Sequence, residues 1–250
     1  MPRYTRGQYV AIIDDFYTFL TRMYIPESAL KRPPEGGWPN ITPEACSEFG
    51  KSAFVVDLLK HLPYIEGGRD NDVDIHYKSH VVDYSTVTPK DFSSPQIKFG
   101  EISASADGPI PDCVVVIAEG HESGGRDLLL DTEQGTIIEE MIRYQRNGEW
   151  DVVEYFTNLK RRFETLEMFH IPGTETIQET HPLPEKEEPA APVEGPVNED
   201  NHEFFPLDED NRWVRHLYRS HGWPDMEFRR DECLEAIRKY AAMRQGDEES

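Results

Sequence analysis

Hydrophobic positions near the start of the chain recur at three- and four-residue steps, which predicts an amphipathic helix over residues 8–24. Residues 25–41 contain four prolines and two glycines, so they predict a loop that Trp38 anchors to the core. Ser52 predicts the N-cap of a second helix, because a serine hydroxyl accepts a hydrogen bond from the first turn. Pro63 is expected to end that helix, since proline lacks the backbone N–H that would continue it.

The hydrophobic period changes to two residues between positions 73 and 139, which predicts strands instead of helices. Cys113–Ala118 is a continuous apolar run and predicts a central strand covered on both faces. Gly124 and Gly125 supply the positive-φ positions that a tight turn between two strands requires. We therefore expect an antiparallel meander of about four to six strands. Its loop-rich stretch covers residues 85–111 and includes one further strand at Ile97–Ile102.

Helical spacing returns in three later segments, over residues 150–169, 209–221 and 227–244. The first of them carries apolar residues three or four positions apart: Trp150, Val153, Phe156, Leu159, Phe163 and Leu166. Between the first and second segments, residues 172–201 contain six prolines and eight acidic residues against one lysine. This composition cannot bury enough apolar surface to order the chain, so it predicts a disordered linker.

The order of helices, strands and helices predicts an α+β fold, with helices packed on one bent, mostly antiparallel sheet and a C-terminal helical pair. We expect the α+β domain over residues 1–171, an acidic proline-rich linker over 172–203, and the C-terminal helical segment over 204–250. Two helices of this size cannot bury a sufficient core alone. The helical pair is therefore expected to dock on the main domain or on a partner.

Acidic residues outnumber basic ones by 48 to 26, which gives the 250-residue chain a formal net charge of −22. This charge repels nucleic-acid phosphates and anionic membranes and favours a basic protein as the partner. The three cysteines are widely spaced without a CxxC pair, so a reducing compartment is expected. We see neither a signal-peptide core nor an apolar run of about 20 residues, which predicts a cytoplasmic or nuclear location. The oligomeric state stays open.

Ser123 is the most suggestive nucleophile, because it follows the apolar strand in the sequence HESGG. A nucleophile elbow has the pattern Gly-x-Ser-x-Gly between a strand and a helix. Here His121 stands at the first glycine position, and the next segment, RDLLLD, reads as a strand. The sequence therefore favours an ordinary hairpin turn at Ser123. Cys113 begins an apolar run and is expected to be a buried structural thiol.

Two patterns resemble metal sites. Asp70, Asp72 and Asp74 alternate as at the start of a calcium loop, but Ile75 and Val81 occupy the positions that need glycine and glutamate. His76 and His80 have the spacing that places two imidazoles on one helix face, yet their segment reads as a strand. The sequence therefore predicts no metal site and no cofactor.

Five segments occur in this order along the chain: GGWPNITPE, HLPYI, LLLDTEQGTI, EWDVVEYFTNLKRRF and the C-terminal LYRSHGWPDMEFRRDECLEAI. Together they resemble segments of fungal proteins related to the SUKH superfamily, which includes bacterial toxin-immunity proteins and the yeast-type regulator of cell-wall synthesis. The similar segments cover roughly residues 36–170 and 209–240 and consist mainly of structural residues. The resemblance implies an α+β fold with one strongly bent sheet and a protein-binding role. It implies no catalytic residues.

Two functions are expected from these observations. The first is a non-enzymatic protein-interaction or regulatory module with an acidic surface, whose partner contacts are aromatic: Trp38, Tyr64, Tyr77 and Tyr84. The alternative is a small-molecule enzyme, a hydrolase or an isomerase, that uses a cluster of His, Asp and Glu residues. Its catalytic candidates are Asp74, His76 and His121, which must converge in the fold to act together.

Overall fold

The computed structural model describes residues 1–66, 73–92, 110–141, 146–174, 176–180, 192–197 and 205–246. The predicted strand at Ile97–Ile102 lies outside these residues. The chain divides into two compact units, Met1–Asn158 and Leu159–Ser250. The first unit contains the large sheet, and the second contains the C-terminal helices. The α+β class that the sequence predicts is confirmed.

Two helices of the first unit begin after a capping side chain, of which Ser52 is predicted from the sequence and Thr5 is not. The first helix starts two residues before the predicted residue 8. Helix α1 spans Arg6–Met23, and its N-cap Thr5 forms a capping box with Gln8. In this motif the Thr5 hydroxyl accepts a hydrogen bond from the Gln8 N–H, and the Gln8 side chain accepts one from the Thr5 N–H. Helix α2 spans Ala53–Leu59, and the Ser52 hydroxyl accepts from the Val55 N–H. The buried face of α1 supplies core residues at helical spacing: Tyr9, Ile13, Phe16, Leu20 and Met23.

A six-stranded sheet forms the centre of the first unit. All of its strand pairs are antiparallel and follow chain order, as the predicted meander requires. The strands are β3 (Asp74–His76), β4 (Ser79–Val81), β5 (Val114–Gly120), β6 (Arg126–Asp131), β7 (Thr136–Met141) and β8 (Arg146–Asp151). Consecutive residues in the middle of β5 and β6 are buried, so both faces of the central strands are covered.

Shorter elements complete the described fold. Strand β1 (Leu30–Lys31) pairs with β2 (Tyr64–Ile65), which ties the proline-rich loop to the segment after α2. Helix α3 spans Pro89–Phe92. In the second unit, β9 (Met168–Phe169) pairs with β10 (Gln178–Glu179), so β10 lies within the stretch predicted to be a linker. The domain boundaries at 171 and 203 stay a prediction.

Helix α4 spans Val152–Glu164 and starts later than the sequence predicts. The residues before it pair with β7 as strand β8, and Asp151 then caps the helix by accepting from the Val153 N–H at 3.0 Å. Four of the six predicted apolar positions are buried, namely Phe156, Leu159, Phe163 and Leu166, and Val152 and Tyr155 are buried with them. Trp150 and Val153 are instead 40% and 43% exposed.

The second unit is organised by helices α5 (Asp208–Ser220) and α6 (Arg230–Gln245). A buried ion pair joins them, with Arg244 Nε 2.7 Å from Asp210 Oδ1. The short segment 192–197, which precedes α5 in the chain, is also held by Arg244, because Arg244 Nη1 donates to the Gly195 carbonyl at 2.6 Å. The Trp223 indole donates to the Phe163 carbonyl, so the break between the helices packs on the end of α4 within the same unit.

Candidate functional site

Ionisable side chains from five neighbouring strands lie at one level of the sheet. Asp74 is directly opposite His80, His80 is opposite Glu119, and Asp127 is opposite Glu140. Ala118 of β5 is paired with Leu128 of β6. The next residues towards the end of β5 and the start of β6 are Glu119 and Asp127, so these two lie side by side. Directly opposed residues of antiparallel strands project from the same face. We call these residues the transverse row: Asp74, His80, Glu119, Asp127 and Glu140.

One end of the row is a compact group that we call the His–Asp cluster, formed by Asp74, His80 and His121. His80 Nδ1 lies 2.7 Å from Asp74 Oδ1, and His121 Nε2 lies 3.2 Å from both oxygens of the same carboxylate. The two imidazole rings stack with their centroids 3.9 Å apart and their planes within 8°. One potential ligand atom from each residue lies within 4.8 Å of the others.

A β-bulge decides which histidine faces Asp74. In a regular strand, Asp74 and His76 would project from the same face because they are two residues apart. The register shifts between them, so Asp74 is opposite His80 while His76 is opposite Ser79. Ser79 and His80 are consecutive and project from opposite faces. The bulge therefore separates His76 from Asp74 and brings His80 to it instead.

His76 belongs to a different set of contacts. Its Nδ1 accepts a hydrogen bond from the Tyr77 N–H at 2.8 Å and lies 3.4 Å from Arg126 Nη1. Arg126 also pairs with Glu139 at 2.9 Å and stands over the Tyr77 ring. The structure thus unites two of the three predicted catalytic candidates, Asp74 and His121, and it places His76 apart from them.

The turn after β5 holds His121 in position. The His121 N–H donates to the Lys78 carbonyl at 2.9 Å, which ties this turn to the β3–β4 hairpin. Gly125 fits closely behind it, since a Cβ there would lie 2.3 Å from the His121 carbonyl oxygen and 2.7 Å from the Lys78 carbonyl oxygen. Ser123 is exposed in this β5–β6 turn, and the hairpin prediction is confirmed. Gly124 has the predicted positive φ, at 85°, whereas Gly125 does not.

The other end of the row concentrates negative charge. Asp127 is 5% exposed, and its Oδ1 accepts a hydrogen bond from the Gly120 N–H at 2.6 Å. The pKa of Asp127 is raised to about 6, mainly by burial. The Gly120 hydrogen bond opposes this rise, and the neighbouring carboxylates Glu119 and Glu140 add to it. A cation that approaches these three carboxylates is therefore attracted by all of them.

The predicted partner-contact aromatics fall into two groups. Tyr64 and Tyr84 are buried, and their hydroxyls donate to the carbonyls of Leu59 and Val116. They therefore serve the core of the first unit in this structure. Trp38 is half-buried, and its indole donates to a backbone carbonyl at 2.8 Å, as expected of an anchor for the proline-rich loop. Tyr77 is half-exposed in the β3–β4 turn.

The thiols are not activated. Burial raises the pKa values of Cys46 and Cys113, and it raises that of Cys233 to about 12. A thiol with a raised pKa is a poor nucleophile and a poor metal ligand at neutral pH. Among the described residues of the first unit, the transverse row and the His–Asp cluster bring several carboxylates and imidazoles close together.

Comparison of the chain with models of protein families, with curated proteins and with solved structures finds no match. The resemblance to the SUKH superfamily therefore stays a prediction. Among the described residues, no helix has the length and apolar character that crossing a membrane demands. The functional argument consequently rests on the geometry and charge of the site.

Proposed function

We propose that this chain is a non-enzymatic protein-interaction module that binds a basic segment of a partner protein along the transverse row. The observation that carries this proposal is the register of Glu119, Asp127 and Glu140, which places three carboxylates side by side on adjacent strands. Carboxylates grouped in this way attract a cationic side chain. A lysine or arginine of a partner protein supplies such a side chain.

The electrostatics of the whole chain support the same partner chemistry. A net charge of −22 attracts a basic protein from a distance and accelerates the encounter, more strongly at low ionic strength. Glu119 and Glu140 are half-buried at the row, so they are accessible and only partly screened by water. Half-exposed Tyr77 is an aromatic contact available to the same module, in a regulatory role in the cytoplasm or nucleus.

The test uses a short fluorescein-labelled peptide rich in lysine and arginine and measures its binding by anisotropy. The variant E119Q/E140Q removes two charges from the row while preserving side-chain size. Its matched control, E44Q/E48Q, removes two charges from exposed positions of the same unit. Both variants have the same net charge, so a difference between them reports the position of the charges and not their number.

We expect the row variant to bind the peptide about tenfold more weakly than wild type, because each lost ion pair contributes about 0.5–1 kcal/mol. The control variant is expected to stay within about twofold of wild type at the same salt concentration. Equal weakening in both variants, or no binding of the basic peptide at low salt, would contradict a specific role for the row.

A second function is favoured by the contact between Asp74 and His121. A carboxylate that orients an imidazole is the arrangement of a general base, and the distances of 3.2 Å lie at the limit of hydrogen bonding. A small-molecule hydrolase or isomerase would use His121 to accept a proton, with Asp74 holding the ring. Turnover of simple ester substrates that is lost in H121Q and kept in H61Q would support this function, and equal activity in both variants would refute it.

A further inference from the structure

We propose that the His–Asp cluster, formed by Asp74, His80 and His121, binds a divalent transition-metal ion of the zinc type. This inference goes beyond the interaction function, because it depends on the histidine end of the site and not on Glu119, Asp127 and Glu140. It rests on the identity of the three donor groups, on their separations and on the backbone that holds them.

The donor set matches the chemistry of zinc. Two imidazole nitrogens and one carboxylate oxygen are ligands that Zn²⁺ uses in proteins, with bonds of about 2.0–2.2 Å. Ca²⁺ and Mg²⁺ prefer sites made of oxygen atoms, so two histidines in a three-ligand set disfavour them. The same donors distinguish this cluster from the carboxylate end of the row, which suits a lysine or arginine side chain.

The separations are close to those of a metal site. Tetrahedral zinc places its ligand atoms about 3.3–3.6 Å apart. His121 Nε2 lies 3.2 Å from the Asp74 oxygens, and His80 Nδ1 lies 2.7 Å from Oδ1. All three donors fall within 4.8 Å of one another.

The backbone fixes all three ligands before an ion arrives. Asp74 and His80 are paired across adjacent strands, and the His121 N–H is bonded to the Lys78 carbonyl between those strands. The Asp74 carbonyl also accepts a hydrogen bond from the Tyr24 hydroxyl at 2.6 Å. Ligands that are already held in place lose little conformational entropy when they bind an ion.

Access and charge also suit a cation. The Asp74 side chain is 4% exposed, whereas those of His80 and His121 are 28% and 21% exposed, so an ion reaches the carboxylate past the imidazole edges. Glu119, opposite His80, adds negative charge nearby. Three protein ligands leave one tetrahedral position for water or for a group from a partner, as in the open zinc sites of enzymes.

The test uses the untagged full-length chain, stripped with a chelator and kept in excess Mg²⁺ to occupy nonspecific acidic sites. Zinc is titrated against a fluorescent chelator to obtain stoichiometry and affinity. The control is H61Q, because His61 also lies near a single carboxylate, with Nδ1 3.4 Å from Asp57 Oδ1. Circular dichroism of every variant establishes that it folds.

We expect wild type and H61Q each to bind one equivalent of zinc tightly. The affinity for zinc should be at least tenfold weaker in H80Q and in H121Q, which is on the order of the loss that follows disruption of a metal site. Cobalt bound to wild type should show the intense visible bands of four-coordinate Co²⁺, and these bands should be absent from both cluster variants. D74N tests the carboxylate, and the variants of the two half-buried histidines keep the proposal testable if D74N does not fold.

Two results would overturn the metal site: no saturable zinc binding in wild type, or equal binding in wild type and in H80Q/H121Q. Either result leaves the proposed interaction function standing if E119Q/E140Q still weakens binding of the basic peptide. Conversely, zinc binding that depends on the histidines, without any peptide binding, supports the metal site alone. The two proposals therefore fail independently.

Discussion

Replacement of Asp127 with asparagine tests whether the fold disfavours an ionised carboxylate at this position of the transverse row. The raised pKa of Asp127 means that the folded protein disfavours the ionised carboxylate, mainly because the group is buried and also because Glu119 and Glu140 lie close. Asparagine has nearly the same shape and can still accept the Gly120 hydrogen bond. D127N therefore removes the charge and preserves the principal contact.

The expected magnitude follows from the shift in pKa. The carboxyl group titrates near pH 3.8 in the unfolded chain and at about 6 in the fold, and one pKa unit corresponds to about 1.4 kcal/mol. Ionised Asp127 thus costs the fold up to about 3 kcal/mol at neutral pH. Below the unfolded pKa both states are protonated and the cost is absent. As the pH rises to about 6, the cost grows to its full value.

D127N should therefore match wild type in stability near pH 4 and exceed it by about 2–3 kcal/mol near pH 7. Hydrogen exchange of the β6 amides in graded urea measures the stability of the first unit by itself. A local measurement is needed because the chain has two units. The exposed variant D112N is the control and should not change the pH dependence. A D127N variant that is less stable than wild type by the same amount at every pH would refute the reasoning.

Three further predictions concern stability and reactivity. D210N should destabilise the second unit by about 3–5 kcal/mol, because it leaves buried Arg244 without its ionic partner; unchanged urea unfolding would contradict this. G125A should destabilise the first unit by about 1–3 kcal/mol in the same assay, because its Cβ would overlap the His121 carbonyl, and stability equal to wild type would contradict the close fit. Cys233 should react with a thiol reagent only after unfolding, because it is buried and its pKa is about 12; rapid labelling of the native chain at Cys233 would contradict this.

Local patterns in the sequence were sufficient to predict most of the first unit. The capping signal at Ser52 and the apolar run from Cys113 identify α2 and β5, because both depend on nearby residues. Helix α4 shows where this reasoning stops. The helical spacing of apolar residues extends back to Trp150, but Trp150 and Asp151 pair with β7 and belong to strand β8. Contacts between strands therefore override the local pattern at this point.

Residue types predict the site only in part, since it depends on strand register. Asp74 and His121 are predicted candidates, and the structure brings them together. His80 is not among the predicted catalytic residues, because the bulge after Asp74 cannot be read from residue types. Glu119, Asp127 and Glu140 are not predicted either. The available signal is an acidic residue next to the apolar run of each of the strands β5, β6 and β7, but the alignment of these acids requires the pairing of all three strands.

The most direct test of the proposed function is backbone amide NMR of the full chain during titration with the lysine- and arginine-rich peptide. If the transverse row binds the basic segment, the largest shift changes fall on the amides of His80, Glu119, Asp127 and Glu140 and of their neighbours on the same strands. These changes should diminish as salt is raised, because the interaction is electrostatic. Shift changes confined to the second unit, or spread evenly over acidic residues of both units, would contradict the central claim.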